Sequence, residues 1–290
     1  MSGPGRFGAP LALAALIDAA LAEDVGPGDV TSAWTVPDDV AGRAALEARA
    51  GGIAAGLDIA ADVFRRVDPA VRVVVRRKDG DAVAPGDVLL TVEGRLASIL
   101  TAERTALNFA GRLSGVATAA RRFVDAVAGT GCRVLDTRKT TPGWRALEKR
   151  AARAGGAVNH RMGLHDMVLI KENHIRSAGG VREALAAALP RARDAGLEVE
   201  IEVTSPAELQ AALAGGADRI LLDNRSAAQI AEAVRTVRSR PPPHPALEAS
   251  GGLTPETARA AARAGVDFVS VGAITHSAGA LDLTLLVEEP

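Results

Sequence analysis

Lysine is scarce in this chain, occurring only as Lys78, Lys139, Lys149 and Lys171. Two of the four come just after short apolar runs. Cys132–Asp136 leads into Thr137-Arg138-Lys139-Thr140-Thr141, and Met167–Ile170 leads into Lys171-Glu172-Asn173-His174. Between them, His160-Arg161 precedes Gly163 and adds two more groups that donate to anions. Acids take the matching places further along. Val199–Val203 carries Glu200 and Glu202, which share one side of a strand because side chains alternate with period two. Ile220–Leu222 ends at Asp223-Asn224, and two later runs end in Ser250-Gly251-Gly252 and Val271-Gly272-Ala273, with His276 just beyond. Clustered cations suit substrates bearing several negative charges. Small residues let backbone N–H groups approach a phosphate. The acids suit a metal ion, ribose hydroxyls or a developing positive charge. Taken singly, each group has a plainer reading: a snorkelling lysine, a basic surface turn, an acid salt-bridged to Lys171 or Arg138. Their recurrence at successive strand ends favours a site.

The elements that must position these groups follow from the rhythm after residue 110. Strand-length apolar runs recur at Cys132–Asp136, Met167–Ile170, Val199–Val203, Ile220–Leu222, Leu247–Ala249 and Phe268–Val271, separated by Ala-rich helical stretches. Ser205-Pro206-Ala207-Glu208 offers an N-cap, a first-turn proline and a capping-box acid. Thr254-Pro255-Glu256 offers a capping Thr and an acidic first turn. Ala214–Asp223 and Ala264–Ala273 echo one another as helix end, glycine and buried strand. Repeated βα units of this kind predict parallel strands covered by helices. With no Gly-x-Gly-x-x-Gly fingerprint in this half, the pattern favours a closed α/β barrel over a doubly wound sheet. A barrel carries its site at the C-terminal strand ends, where the charges lie.

Before residue 110 the chain reads differently, with short β-like stretches at Gly42–Ala48 and Val71–Arg77. Lys78–Gly94 has the Gly and Pro spacing of a small hammerhead barrel, but Lys78 precedes the repeat, so a structural role is expected. The single cysteine, Cys132, excludes an internal disulfide and reads as inert core. A net charge of -1 gives no pull toward nucleic acid or anionic membrane, and 2% aromatic residues leave little for base stacking. Leu11–Ile17 reads as part of an amphipathic helix rather than a signal-peptide core, and no apolar run reaches membrane-span length. The cytoplasm is the expected location.

Glu23–Thr31, Glu103–Thr118, Asp136–Arg145, Asn159–His174, Ser250–Gly252 and Gly265–Ser277 together resemble the quinolinate phosphoribosyltransferase family, in that family's order and over nearly the whole chain. The resemblance implies an α/β fold with an N-terminal α/β sandwich (hammerhead-like) domain plus an incomplete α/β barrel of parallel strands. The domains expected are 1–110, joined by 278–290, and 111–277. The implied reaction is phosphoribosyl transfer from phosphoribosyl pyrophosphate to quinolinate with decarboxylation, a magnesium-dependent pentosyl transfer of NAD biosynthesis. By position, the resemblance implies that Arg138, His160, Arg161 and Lys171 surround the quinolinate carboxylates. Lys139 serves phosphoribosyl pyrophosphate, Thr137 is a further substrate-binding residue, and Glu202 and Asp223 face the ribose and its Mg2+, the metal directly or through water. Ser250, Gly251, Gly252, Val271, Gly272, Ala273 and His276 hold the phosphate. Lys139, Lys171, Glu202 and Asp223 are the catalytic set. Arg104 is implied to reach a neighbouring subunit's site in a homodimer or hexamer. The register of Glu198–Glu202 leaves Glu200 open as a further member. Competing readings are a relative with another acceptor, a Schiff-base aldolase using Lys171, and a catalytically silent scaffold.

Overall fold

The computed structural model describes residues 12–288; Leu11, with the residues before it, lies outside them. The chain divides into two compact units. Unit 1 comprises residues up to Thr118, Thr141–Ala154 and the segment from Ala278 onward; unit 2 comprises Ala119–Thr140 and Gly155–Ser277.

Unit 1 opens with helices α1 (Leu13–Val25) and α2 (Val30–Thr35). Strands β1 (Ala41–Ala48) and β2 (Gly52–Ile53) precede helix α3 (Leu57–Val67). Next come β3 (Arg72–Val75), β4 (Ala82–Val83), β5 (Val88–Arg95) and the long helix α4 (Leu96–Val127). Unit 2 starts its sheet with β6 (Arg133–Leu135), after which α5 (Arg145–Ala154) clusters with unit 1. There follow β7 (Val168–Ile170), α6 (Glu172–Ala178), α7 (Val181–Ala195), β8 (Val199–Val203) and α8 (Pro206–Gly215). The unit ends with β9 (Arg219–Asp223), α9 (Ala227–Arg238), β10 (Ala246–Ser250), α10 (Pro255–Arg263), β11 (Phe268–Ser270) and α11 (Ala273–His276). The final strand, β12 (Leu283–Val287), belongs to unit 1.

Within unit 1 an antiparallel sheet runs β12-β1-β5-β3. Helix α3 shows why this layer holds: Leu57, Ile59, Ala60, Val63 and Phe64 are buried while Asp58 and Arg65 remain at the surface. Unit 1 reclaims residues 141–154 through Glu148, which is fully buried. Its carboxylate accepts from Arg112 Nε at 3.1 Å, Thr141 N at 3.0 Å and Thr141 Oγ1 at 2.7 Å. The Trp144 ring stacks on Phe109 at 4.8 Å. The units thus differ from the sequence-based division at 110/111 by this excursion and by the middle turns of α4, since unit 1 runs on to Thr118. A change of composition along the chain does not reveal a segment that folds back.

The sheet of unit 2 runs β6-β11-β10-β9-β8-β7 with every pairing parallel. All six apolar runs of the sequence are its strands. The fold is an incomplete α/β barrel, since β6 and β7 lie at opposite ends of the strand order. The closed barrel favoured by pattern alone is corrected here: six strands stop short of the usual eight. Both expected helix starts form, with Ser205 and Thr254 accepting from Glu208 N and Thr257 N. Glu208 departs from the capping box in one detail, reaching back to Thr204 N at 2.6 Å instead of the N-cap amide. Cys132 is buried, and burial, with the Asp267 charge second, pushes its thiol up to about 12, as befits an inert core residue. No helix among the described residues is long and apolar enough to cross a membrane.

The returning C-terminal segment is pinned to α4 at one point. Leu281 N donates to Gly111 O at 2.8 Å, and a Cβ at Gly115 would collide with the Gly279 carbonyl. Gly115→Ala is therefore expected to destabilise the protein by about 1–3 kcal/mol, read as a lowered midpoint in thermal or urea unfolding. An unchanged midpoint would show that the segment moves aside at no cost.

Candidate active site

Parallel strands deliver their C-terminal residues to one end of the barrel unit, and a cavity of about 730 Å³ opens there. Fifteen of the sixteen site residues expected from the sequence line it: Thr137, Arg138, Lys139, His160, Arg161, Lys171, Glu202, Asp223, Ser250, Gly251, Gly252, Val271, Gly272, Ala273 and His276. Arg104 is the exception. It belongs to unit 1, on α4, with 64% of its side chain exposed and Glu103 at 4.0 Å.

The cations are held by different means. Arg138 and Lys139 leave β6 in a loop fixed by Lys139 N donating to Thr137 Oγ1 at 3.0 Å, and by Thr275 Oγ1 donating to Lys139 O at 2.7 Å. The Lys139 stem lies against the β11 loop, where a Cβ on Gly272 would sit 2.9 Å from Lys139 Cδ. Arg161 donates from Nη1 to Met167 O at 3.2 Å. Burial holds the Arg161 guanidinium below its ordinary pKa, and the charge of Arg138 adds to this. Two guanidiniums are thus brought together. Lys171 ends β7 and pairs with Glu202 at 2.8 Å, its side chain 50% exposed. A Schiff-base lysine needs a desolvated amine, and this one is neither dry nor unpaired.

The acids separate into two layers. Glu202 and Asp223 line the cavity, Asp223 accepting from Asn224 Nδ2 at 2.6 Å. Two residues deeper on the same strand face, Glu200 is fully buried and takes part in a 2.9 Å contact with His160 Nε2. Glu248 on β10 is also fully buried and receives Arg219 Nη1 at 3.2 Å. Burial pushes both carboxyls above the usual carboxylate range. Asp136, at the end of β6, accepts from His160 N at 2.8 Å and Asn159 Nδ2 at 2.5 Å, fastening the 159–161 loop beside the 137–139 loop. Glu248, Asp136 and Asn159 were not singled out from the sequence as site residues. For Glu248 a signal existed, since it stands two residues before Ser250 and so shares its side of β10.

The small residues are needed where they stand. Gly251 has φ +109°, and a Cβ there would strike the Asn224 side chain. Asn224 N donates to Ser250 O at 2.9 Å, joining the ends of β9 and β10. Loops of this composition along the cavity wall let backbone N–H groups approach a phosphate. His276 shares a 2.6 Å contact with Ser277 Oγ through Nδ1. His174 serves its own helix: its Nδ1 accepts from Lys171 N at 3.0 Å. The arrangement can gather two small polyanions, one grasped by cations and one seated by its phosphate, with carboxylates between them.

The comparisons with known proteins agree with one another. The model of the quinolinate phosphoribosyl transferase C-terminal domain matches residues 116–286, and that of the N-terminal domain matches residues 29–114. The nicotinate-nucleotide pyrophosphorylase (carboxylating) of Mycobacterium leprae is 45% identical, over 92% of this chain and 94% of that protein. The chloroplastic protein of the same name from Arabidopsis thaliana is 40% identical, over 95% of this chain and 83% of its own length. Among solved structures, the Francisella tularensis nicotinate-nucleotide pyrophosphorylase superposes with a TM-score of 0.89 at 41% identity, covering 95% of this chain and 96% of that one. With both domain models matched and relatives aligned over nearly their full lengths, the chain belongs to the quinolinate phosphoribosyltransferase family.

Proposed function

We propose that this chain transfers the phosphoribosyl group of phosphoribosyl pyrophosphate to quinolinate with decarboxylation, forming nicotinate mononucleotide, pyrophosphate and carbon dioxide for NAD biosynthesis. One observation carries the reading: Arg138, Arg161 and Lys171 line the same cavity as Glu202, Asp223 and the two glycine-bearing loops. Family membership supplies the identity of the substrate pair.

Arg138, Arg161 and Lys171 hold the two carboxylates so that the pyridine nitrogen faces the sugar. The nitrogen attacks the anomeric carbon as the bond to pyrophosphate breaks, and the bonding pair leaves with pyrophosphate. The sugar passes through a cation-like state that the negative charge of Glu202 and Asp223 favours. Lys139 and Thr137 serve the phosphoribosyl pyrophosphate, and the 250–252 and 271–273 loops, with His276, seat the 5-phosphate. Once the ring nitrogen carries ribose, the adjacent carbon–carboxylate bond breaks. Carbon dioxide departs, the electron pair stays beside the cationic nitrogen, and a solvent proton completes the ring. Lys171 leaves Glu202 for the substrate carboxylate during binding, which frees Glu202 to face the ribose.

Glu202 and Asp223 present hard carboxylate oxygens, the donor type that magnesium takes together with waters and substrate phosphates. They are the residues that would hold it, directly or through water. When bound, magnesium supplies positive charge to the departing pyrophosphate. Exposed Arg104 is proposed to complete the site of a second copy, in a homodimer or hexamer, and the cytoplasm is the proposed location.

The direct test is release of carbon dioxide and pyrophosphate from quinolinate and phosphoribosyl pyrophosphate with magnesium. Nicotinate as the better acceptor would overturn the substrate assignment. Arg161→Ala removes a charge-assisted contact of roughly 1.5–3 kcal/mol, so kcat/KM for quinolinate should fall by about one to two powers of ten. Arg161→Lys should also be damaging, because a lysine cannot donate in a fork. Near-normal turnover of either variant at limiting quinolinate would reject the role given to Arg161. Dialysis against a chelator should abolish turnover and added magnesium should restore it; activity that persists without a divalent ion would remove Glu202 and Asp223 from that role.

A further inference from the structure

The cavity floor holds two acids, Glu200 and Glu248, to which the proposed reaction assigns no role. Glu200, Glu248 and His160 put ligand atoms within 4.8 Å of one another below the anion site. Arg219 enters the same cluster from β9. We infer that Glu248, with Glu200 and His160, forms a buried spine that fixes Arg161, so the grip on the dicarboxylate is set from inside the barrel. This inference rests on the proposed role of Arg161 in binding quinolinate.

The spine can be followed contact by contact. At its lower end Arg219 is clamped to Glu198 by Nε and Nη2, both at 3.1 Å, with its guanidinium 4.4 Å from the Phe268 ring centroid. Arg219 Nη1 then donates to Glu248 Oε2 at 3.2 Å. That oxygen lies 3.7 Å from His160 Nε2, and Glu200 Oε2 lies 2.9 Å from it. His160 Nδ1 accepts from Arg161 N at 2.8 Å, which places the single proton of a neutral ring on Nε2, donated to Glu200. Both ring nitrogens are therefore engaged within the protein, and the His160 side chain is only 7% exposed. His160 acts through Arg161 and is a positioning residue in this arrangement.

Two features make Glu248 the sensitive joint. It alone in the cluster both lines the cavity wall region and binds the arginine below. Oε1 of Glu200 and of Glu248 meet no hydrogen-bond partner among the described residues. The charge facing the cluster comes from Arg219 on β9, Lys171 just after β7, Glu198 before β8 and His160, and Ser270 on β11 adds a polar group beside Glu248. An imidazole and two carboxylates also make a divalent-metal donor set. Here Arg219 brings a positive charge into the cluster, and His160 and Glu200 already satisfy one another by hydrogen bonding.

The test measures kcat and both KM values for Glu248→Ala, Glu248→Gln, His160→Phe and Arg161→Ala, each checked for folding by thermal unfolding. A displaced positioning group costs up to about a hundredfold. Glu248→Ala and His160→Phe should raise KM for quinolinate about tenfold or more, with KM for phosphoribosyl pyrophosphate held within about twofold. Glu248→Gln keeps an acceptor for Arg219 and the size of the side chain, and should recover most of the loss. His160→Phe decides the matter if Glu248→Ala fails to fold, since it puts a somewhat larger aromatic ring in place of the imidazole and removes both nitrogens. Equal increases in both KM values, a fall in kcat alone, no change in folded variants, or stoichiometric zinc in the purified wild-type protein would each overturn the spine. If Arg161→Ala itself leaves KM for quinolinate unchanged, the site reading fails instead, which separates the two failures.

Discussion

The barrel unit must hold like charges together without a ligand present. Arg138 and Arg161 face one cavity, and the guanidinium of Arg161 is held below its ordinary pKa by burial first and by Arg138 second. Uncompensated, charges taken out of water cost several kcal/mol each. Compensation comes from acids placed to help without closing the cavity: Glu200 and Asp166 favour the charge on Arg161, and Glu202 takes Lys171. A dicarboxylate arriving there meets donors that are already oriented and partly stripped of water. Such preorganised charge is the most effective kind, because little reorganisation remains to be done.

That constraint explains why the acids come in two layers on one strand. Period two puts Glu200 and Glu202 on the same side of β8, one buried and one in the cavity wall. The upper acid pairs with the exposed Lys171, whereas the lower one meets His160 in the interior. β10 repeats the device, with Glu248 beneath Ser250. A single strand thus supplies both a group for the substrate and a group for the scaffold. Neighbouring parallel strands in register, Ser250 beside Asp223 and Glu202 beside Leu221, bring the layers level with each other.

Much of this was legible in the sequence because parallel βα units announce themselves. Apolar runs ending in charge or glycine located six strands and the cavity-facing ends of each. What stayed hidden depended on contacts between distant segments. Asp136 reads as the polar end of a strand, and only the folded chain shows it fastening Asn159 and His160. Glu248 sits inside an apolar run, where a lone acid has no visible partner until Arg219 arrives from β9. Resemblance to a family likewise does not divide a motif by role. In Asp136–Arg145 the first half lines the cavity, while Thr141 and Trp144 serve Glu148 and Phe109 in the other unit.

The same division of labour bears on how such a site tolerates change. The cavity-lining cations sit on loops whose backbones are tied by short hydrogen bonds: Lys139 N donates to Thr137, His160 N donates to Asp136, and Thr275 donates to Lys139 O. Replacing a cation removes one contact with the substrate and leaves these ties intact, so its effect stays local. Replacing a tie shifts a whole loop and with it every group the loop presents. Misplacement by about 1 Å already costs as much as deleting a contact. Under the proposed reaction, specificity for a dicarboxylate would reside as much in the buried polar groups that tie the loops as in the arginines the loops present.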